Sequence, residues 1–274
     1  MQLAITCTSM DLHERAPIVF RGTDEWCFQQ IREIGYDGVE LHIHDSDELD
    51  REKLRQLLLR HRLLLTSIGT GTAYGRDRIY LTSTDREIRR RAVERLKGHV
   101  ITAADYPHAV VIIGLIKGKV SDCGSRELYE QNLVASLQEC AAFAERYGVY
   151  LGLEVMNHYE SDYLNRIGQG LELLDRIGSP HVQLHIDTYH MNIEEQDIGA
   201  AIREAQGRIC HVHVADNDRW YVGHGHYDFA ETVRALKAID YPYAVCVESL
   251  GYPDMQTSGR ESYRNMIKLM RETI

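Results

Sequence analysis

The segment CHVHVADNDRWYVGHGHYDF, residues 210–229, contains four histidines, three aspartates and one arginine in and after a short apolar run. His211 and His213 occupy alternate positions, so in a β-strand their side chains project from the same face. Two aspartates and Arg219 follow at once. A buried core does not require this density of polar groups, whereas a metal-centred site for a polar substrate does.

Three other apolar runs carry a carboxylate near their ends. These residues are Glu154 in LGLEV, Asp187 at the end of VQLHID and Glu248 in VCVESL. With His213 they form a set of three carboxylates and one imidazole. Such a hard, oxygen-rich set suits Mn²⁺, Mg²⁺ or Co²⁺ better than a closed thiolate zinc site does. We expect one divalent ion, with Mn²⁺ favoured and Mg²⁺, Co²⁺ or Zn²⁺ as alternatives.

Each of the four residues also has a purely structural interpretation. Glu154 could pair with an arginine inside the fold, and Asp187 could cap the next helix. His213 could be a core histidine, and Glu248 a surface residue at a strand end. For any one of these residues taken alone, the structural interpretation is favoured over the metal site. Four such residues at matching strand ends favour a shared metal site.

Four further histidines lie near these candidates. His185 and His211 each stand two residues before a candidate ligand, where they either orient the ligands or fill the interior more deeply. The sequence leaves both interpretations open. His42 and His44 close another apolar run and are secondary candidates for the wall of the site.

Eight apolar runs rich in Val, Ile and Leu position these residues, as buried parallel strands would. They are LAIT (3–6), GVELHIH (38–44), LLLTSIG (63–69), AVVIIGL (109–115), VYLGLEV (149–155), VQLHID (182–187), ICHVHVAD (209–216) and YAVCVESL (243–250). Helix-like segments lie between them; one is expected to begin with a capping box of Thr84 and Glu87.

Strand followed by helix, eight times over the chain, predicts an α/β fold: a (β/α)8 TIM barrel forming a single domain over residues 1–274. An open doubly wound sheet alternates in the same way. The count of eight and the lack of GxGxxG after the first run favour the barrel. The candidate ligands come from the fifth to eighth runs, whose C-terminal ends would meet at one rim.

Composition narrows the choice of partner and compartment. The formal net charge of −10 disfavours nucleic acid, because binding phosphates needs a basic surface. Six cysteines without metal-ligand spacing indicate free thiols in a reducing cytoplasm. We see no signal peptide and no run long and apolar enough for a membrane helix. A small-molecule substrate is expected, and the oligomeric state is left open, a homo-oligomer included.

Three segments resemble the ketose 3-epimerases of the tagatose and psicose epimerase type, a branch of the xylose-isomerase-like barrels. They are EVMNHYESDYLN from Glu154, DTYHMNIEE from Asp187 and HVHVADNDRWYVGHGHYDF from His211. Two departures from the branch's motifs could reshape the pocket. His158 stands in place of an arginine, and Val222 in place of a proline.

Two further segments, SIGTGTAYGRDRIYLTSTDREIRRRAVERLKGHV and VVIIGLIKGK, resemble the 5-keto-L-gluconate epimerases of this branch. That resemblance implies a keto-acid substrate.

The resemblance implies that Glu154, Asp187, His213 and Glu248 hold the metal and that Glu160, His190 and Arg219 hold the substrate. The side-chain chemistry of the second set is consistent with substrate binding. Arg219 offers planar donors for a carboxylate or carbonyl oxygen, His190 follows Asp187 by three residues, and Glu160 can accept a hydroxyl proton. The loop ADNDR with GHGH is expected to close over the sugar.

The predicted reaction inverts the carbon beside the ketone of a keto-sugar or keto-sugar acid through an enediolate stabilised by the metal. Glu154 and Glu248 would act as bases on opposite faces. The principal alternative is an aldose–ketose or keto-inositol isomerase on the same scaffold. An abasic-site endonuclease is a third, which the acidic net charge disfavours.

Overall fold

The computed structural model describes residues 1–273 and contains a parallel barrel with helices between its strands. The strands are β1 (Gln2–Thr8), β2 (Phe20–Arg21), β3 (Gly38–His42), β4 (Leu64–Gly69), β5 (Val110–Ile113), β6 (Tyr150–Glu154), β7 (Val182–Asp187), β8 (Ile209–Val214) and β9 (Ala244–Val247). Their order is β1-β3-β4-β5-β6-β7-β8-β9, and pairing of β9 with β1 closes the barrel. The predicted (β/α)8 barrel is therefore confirmed.

The helices of the described residues follow the strands along the chain. They are α1 (Asp24–Ile34), α2 (Arg51–His61), α3 (Thr72–Gly75), α4 (Arg86–Ala103), α5 (Val120–Cys123), α6 (Arg126–Tyr147), α7 (Ile167–Ile177), α8 (Thr188–Glu194), α9 (Ile198–Glu204), α10 (Phe229–Ala238) and α11 (Met255–Glu272). Short 3-10 turns cover Ser46–Glu48 and Leu115–Lys117.

Each of the eight apolar runs contains one barrel strand, and the differences from the sequence prediction are local. The two-residue strand β2 pairs with the end of β1. Helix α4 begins after Asp85, whose side chain accepts a hydrogen bond from the backbone N–H of Glu87, so the predicted capping role of Thr84 is wrong. An aspartate caps as well as a threonine does, and here it is one residue closer to the helix.

Helix α1 illustrates why the chain alternates in this way. The Thr23 side chain accepts a hydrogen bond from the N–H of Trp26 at its start, and Gly35 ends it with a φ of 119°. Cys27, Phe28 and Ile31 form the face that packs into the large core between the helices and the barrel. Spacing of three and four residues places these side chains on one side of the helix.

The interior of the barrel differs from the layer outside it. Along β9, Val245 and Val247 belong to the large outer core, whereas Cys246 packs with Ala4 and Ala244 in a separate small cluster. Alternation along the strand therefore directs every second residue inward. Towards the C-terminal ends of the strands these inward positions become polar, and this polar end is the candidate site.

The cysteines form no disulfide among the described residues. All six cysteines are free, and five of them are buried. Within residues 1–273, we find no helix that combines the length and apolar character required to cross a bilayer.

Candidate active site

The four candidate metal ligands lie together at the C-terminal ends of the last four barrel strands. Glu154 ends β6, Asp187 ends β7, His213 lies in β8 and Glu248 directly follows β9. Asp187 and His213 are paired across neighbouring strands. All four side chains are buried. Glu154, His213 and Glu248 line a cavity of about 570 Å³ that opens at this end of the barrel.

Several buried polar atoms in this cluster have no hydrogen-bond partner among the described residues. They are Asp187 Oδ2, His213 Nδ1 and His190 Nε2. His213 Nδ1 lies 3.4 Å from Glu248 Oε2, and His190 Nε2 lies 3.5 Å from Glu154 Oε1. A buried polar atom without a partner is costly unless another group compensates it. A cation between Asp187 Oδ2 and His213 Nδ1 would compensate these two atoms.

The atoms that could bind a cation converge in overlapping groups. Asp187, His213 and Glu248 each offer an atom within 4.8 Å of the others, and so do Glu154, Asp187 and His190. Glu154 also shares such a group with His213, together with His185. The donor set of carboxylates and imidazole therefore fits a divalent ion, and Asp187 links the two halves of the cluster.

The environment shifts the pKa values of two carboxylates of the cluster in opposite directions. Burial raises the pKa of Asp187, and the nearby positive charges, Arg219 among them, offset only part of this effect. Its Oδ1 accepts a hydrogen bond from the N–H of Tyr189. Burial also acts on Glu248, but the positive charges of His213 and Arg219 outweigh it and lower its pKa to about 2. Asp187 thus serves as the cap of α8 through one oxygen and leaves the other free for a ligand.

Arg219 lies among carboxylates at the edge of the cavity. Its Nη1 donates to Glu160 Oε1 at 2.6 Å and its Nη2 donates to Glu248 Oε2 at 3.0 Å. The guanidinium also lies over the ring of Tyr189, 4.6 Å from its centroid. The predicted substrate residues Arg219 and Glu160 thus both line the cavity, joined to each other by an ion pair.

His190 is oriented by a fixed amide. Asn157 Oδ1 accepts hydrogen bonds from the N–H groups of Tyr159 and Glu160, so Asn157 Nδ2 must be the atom that donates to His190 Nδ1 at 2.7 Å. The proton of a neutral His190 then lies on Nε2, which faces Glu154 and Asp187. His190 can therefore donate a hydrogen bond to an oxygen bound beside the cluster.

The loop after β8 does not close over the cavity as the sequence suggested. Among the residues between β8 and α10, Arg219 alone lines the cavity. Asp216 instead accepts hydrogen bonds from the N–H groups of Gly223 and Tyr227, and Asn217 accepts one from His226. The polar residues of this loop therefore fold it against itself and place Arg219 at the cavity wall.

The two departures from the family motifs lie outside the cavity lining. His158 is largely exposed and its Nδ1 lies 2.5 Å from Glu194 Oε1. Val222 is fully buried, and its N–H donates to Ser262 Oγ at 3.1 Å. A proline at this position would lack that N–H. Neither substitution changes the wall of the cavity directly.

The neighbouring histidines divide into different roles. His42 lines the cavity, whereas His44 interacts with Asp77 and Glu48 away from it. His211 Nε2 lies 2.8 Å from the carboxylate of Glu40. His185 is fully buried and packs edge-to-face against the rings of His211 and His213, so it fills the interior.

Sequence reasoning missed two buried ionisable residues of the site. Glu40, in the run GVELHIH, is fully buried and contacts several histidines. Lys117, in the run GLIKGK, is also fully buried; its Nζ lies 3.3 Å from the carbonyl of Gly114 and 2.9 Å from Met156 Sδ. A charged residue inside an otherwise apolar run is the signal that could have identified both.

Lys117 makes folding depend on pH. Burial lowers its pKa to about 8, and the charges of Glu154 and Glu160 offset only part of this effect. The unfolded chain therefore binds more protons than the folded one between pH 8 and the ordinary lysine pKa, so this contribution to the free energy of unfolding increases with pH. We expect Lys117→Met to stabilise the protein relative to wild type at pH 7, by an advantage that shrinks by roughly 2 kcal/mol at pH 10. Urea unfolding at both pH values measures this; a difference that is constant with pH contradicts it.

Comparison with known proteins agrees with the fold and identifies the family. Residues 28–273 match the family model described as Xylose isomerase-like TIM barrel, and the chain belongs to that family. An L-ribulose 3-epimerase from Methylomonas sp. (strain DH-1) is 35% identical over 218 residues, which cover 78% of this chain and 74% of that protein. A D-psicose 3-epimerase from Enterocloster bolteae is 29% identical, covering 82% of this chain and 78% of that protein.

A solved structure extends the agreement to nearly the whole chain. The D-allulose 3-epimerase from Methylomonas sp., in complex with D-allulose, has a TM-score of 0.82 and 26% identity, covering 98% of this chain and 96% of that chain. The resemblance to ketose 3-epimerases is thus confirmed, and the chain is an enzyme of the sugar epimerase and isomerase class.

Proposed function

We propose that the enzyme inverts the carbon beside the ketone of a keto-sugar or keto-sugar acid, such as 5-keto-L-gluconate, through an enediolate. The observation that carries this proposal is the pair of buried glutamates on the cavity wall, Glu154 and Glu248. Their strands are separated by β7 and β8, which carry Asp187 and His213. A substrate above that centre would have one carboxylate near each side.

We also propose that Glu154, Asp187, His213 and Glu248 hold one divalent ion, for which Mn²⁺ is the favoured candidate. The unpartnered atoms Asp187 Oδ2 and His213 Nδ1 support this set. When bound, the ion supplies positive charge that makes the carbon beside the ketone more acidic and stabilises the enediolate.

The protein's own groups then move the proton and orient the substrate. One glutamate carboxylate takes the proton from the carbon, and the other, as a carboxylic acid, gives a proton to the opposite face. After each turnover the first glutamate releases its proton to solvent and the second takes one up, which restores the starting state; the two roles are exchanged in the reverse reaction. His190 Nε2–H and Arg219 would donate to substrate oxygens, and Glu160 would accept from a hydroxyl.

Arg76 supports an anionic substrate. It lies at the mouth of the cavity, is exposed, and has no carboxylate of residues 1–273 within ion-pair distance. The wall of the same cavity includes the apolar side chains of Ile112, Leu115 and Met156. A sugar acid bound at the metal-ligand end could direct its carboxylate towards Arg76.

Replacing Arg76 by glutamine should raise the KM for a keto-sugar acid by about tenfold, as expected for the loss of one charged hydrogen bond. The KM for a neutral ketose should change little. Arg78→Gln is the matched control, because Arg78 is also exposed but does not line this cavity. Equal effects of Arg76→Gln on both substrate classes would remove the support for an acid.

The experiment that tests the proposed reaction is a screen of ketoses, keto-acids and 3-keto-glycosides with Mn²⁺ in deuterated water. Deuterium uptake beside the carbonyl together with an inverted product supports epimerisation. An aldose product would instead indicate an isomerase, and the absence of exchange with every class would contradict the proposal.

We further propose a cytoplasmic enzyme that acts on small molecules without binding nucleic acid or a membrane. The net charge of −10 and the six free cysteines support this setting.

A further inference from the structure

The carboxylate of Glu40, one of the residues that line the cavity, contacts four polar side chains. His213 Nε2 lies 2.9 Å from its Oε2, and His42 Nε2 lies 2.8 Å from its Oε1. His211 Nε2 lies 2.8 Å from Oε2, and Ser67 Oγ donates to the same oxygen at 2.5 Å. Glu40, His211 and His213 are essentially inaccessible to solvent.

These contacts determine which nitrogen of His213 carries a proton. Glu40 Oε2 accepts a hydrogen bond from Ser67 Oγ and faces both His211 Nε2 and His213 Nε2, so it is the acceptor for the donors around it. An ionised carboxylate only accepts hydrogen bonds, so the proton of a neutral His213 must lie on Nε2. Its Nδ1 then carries the free lone pair and is the atom without a partner beside Glu248.

The other neighbours of Glu40 hold the carboxylate itself in place. Ser67 comes from β4, Glu40 from β3 and His211 from β8, so the contacts span the interior of the barrel from one side to the other. The carboxylate that faces His213 is thereby held by β3 and β4, which carry none of the four candidate metal ligands.

We propose that Glu40 is a positioning residue that fixes the tautomer and ring orientation of His213, so that Nδ1 faces the metal centre. The inference rests on the proposed metal set, of which His213 is a member. A carboxylate that accepts the second N–H of a ligating imidazole both orients the ring and makes the ligating nitrogen more basic. Glu40 acts through His213 and is not itself a ligand.

Glu40→Gln is the sharpest variant, because it keeps the volume of the side chain and removes its charge. One end of the amide can donate but not accept, so it cannot satisfy all the N–H groups that now converge on Glu40. We expect the variant to bind Mn²⁺ roughly 10- to 100-fold more weakly than wild type. Titration calorimetry of the full chain with Mn²⁺ alone measures this without any substrate.

Ser67→Ala provides the matched control. It removes one hydrogen bond from the same carboxylate but leaves the contact between Glu40 and His213. We expect its Mn²⁺ affinity to stay within about threefold of wild type, far from the loss expected at Glu40. Equal losses in Ser67→Ala and Glu40→Gln, or a Glu40→Gln affinity equal to wild type, would overturn the positioning role.

A measurement on the wild-type protein covers the case in which Glu40→Gln does not fold. Nitrogen-15 NMR of the histidine rings in the Zn²⁺-loaded protein should show His213 protonated at Nε2 and bound to the metal through Nδ1. Metal binding through Nε2 would overturn the inference. Neither measurement involves turnover, so failure of the epimerase proposal would appear separately, as absent substrate exchange with intact metal binding.

Discussion

Glu154→Gln and Glu248→Gln should each abolish net epimerisation, with a loss of about 10²- to 10⁴-fold for removal of a general base. Both side chains are buried and line the cavity. Glutamine keeps the shape of each side chain and one oxygen that can face a cation. The loss should therefore fall mainly on kcat. Both epimers of the substrate should be tested, because each presents its proton to a different face.

Exchange of the substrate proton with solvent distinguishes a two-base mechanism from a one-base mechanism. Each variant retains a carboxylate on one face, so for one of the two epimers it should still exchange the substrate proton for deuterium while keeping the configuration. The other variant should do so for the other epimer. If both variants bind metal and epimerise at near wild-type rates, the two-base assignment is wrong.

The surroundings require different controls for the two variants. Glu248 accepts a hydrogen bond from Arg219, so Glu248→Gln weakens a buried ion pair and leaves Arg219 paired with Glu160. Glu154 lies against Gly114, where a Cβ would come within 2.6 Å of Glu154 Oε2. Metal content and melting temperature should be measured together with the kinetics. Glu248→Gln is the variant expected to lose more stability.

The strand ends could be predicted because the barrel repeats one local pattern. Buried parallel strands read as apolar runs, and each run ends at the same rim. Glu154, Asp187, His213 and Glu248 therefore share a place in four successive repeats. No long-range information is needed to place them together once the barrel is assigned.

The parts that sequence reasoning missed depend on contacts between distant strands. Glu40 is 173 positions from His213, and no local pattern pairs them. Lys117 lies in the 3-10 turn after β5. Its burial depends on packing against Met156, which lies in the loop after β6. Arg219 belongs to the loop that the sequence predicted to close over the sugar, yet it is partly buried among carboxylates because Asp216 and Asn217 fold that loop inward.

Removing the metal should eliminate activity and lower the melting temperature of the protein. Asp187 is fully buried with one oxygen unpartnered, and burial raises its pKa, so a bound cation would compensate this carboxylate. A cation that binds only the folded state stabilises it by about 2.7 kcal/mol at a hundredfold excess over Kd. For a chain of this size that corresponds to roughly 5 °C or more in melting temperature.

The measurement is chelation, followed by addition of Mn²⁺ with elemental analysis at each step. One ion per chain, loss of activity on chelation and its return on addition are the expected results. Asp187→Asn is the informative variant, because asparagine can still cap α8 but removes the charge. It should fold as the metal-free wild type does and show little rise in melting temperature with Mn²⁺. Chelated protein that holds no metal and keeps full activity would contradict the metal assignment and, with it, the chemical role given to all four ligands.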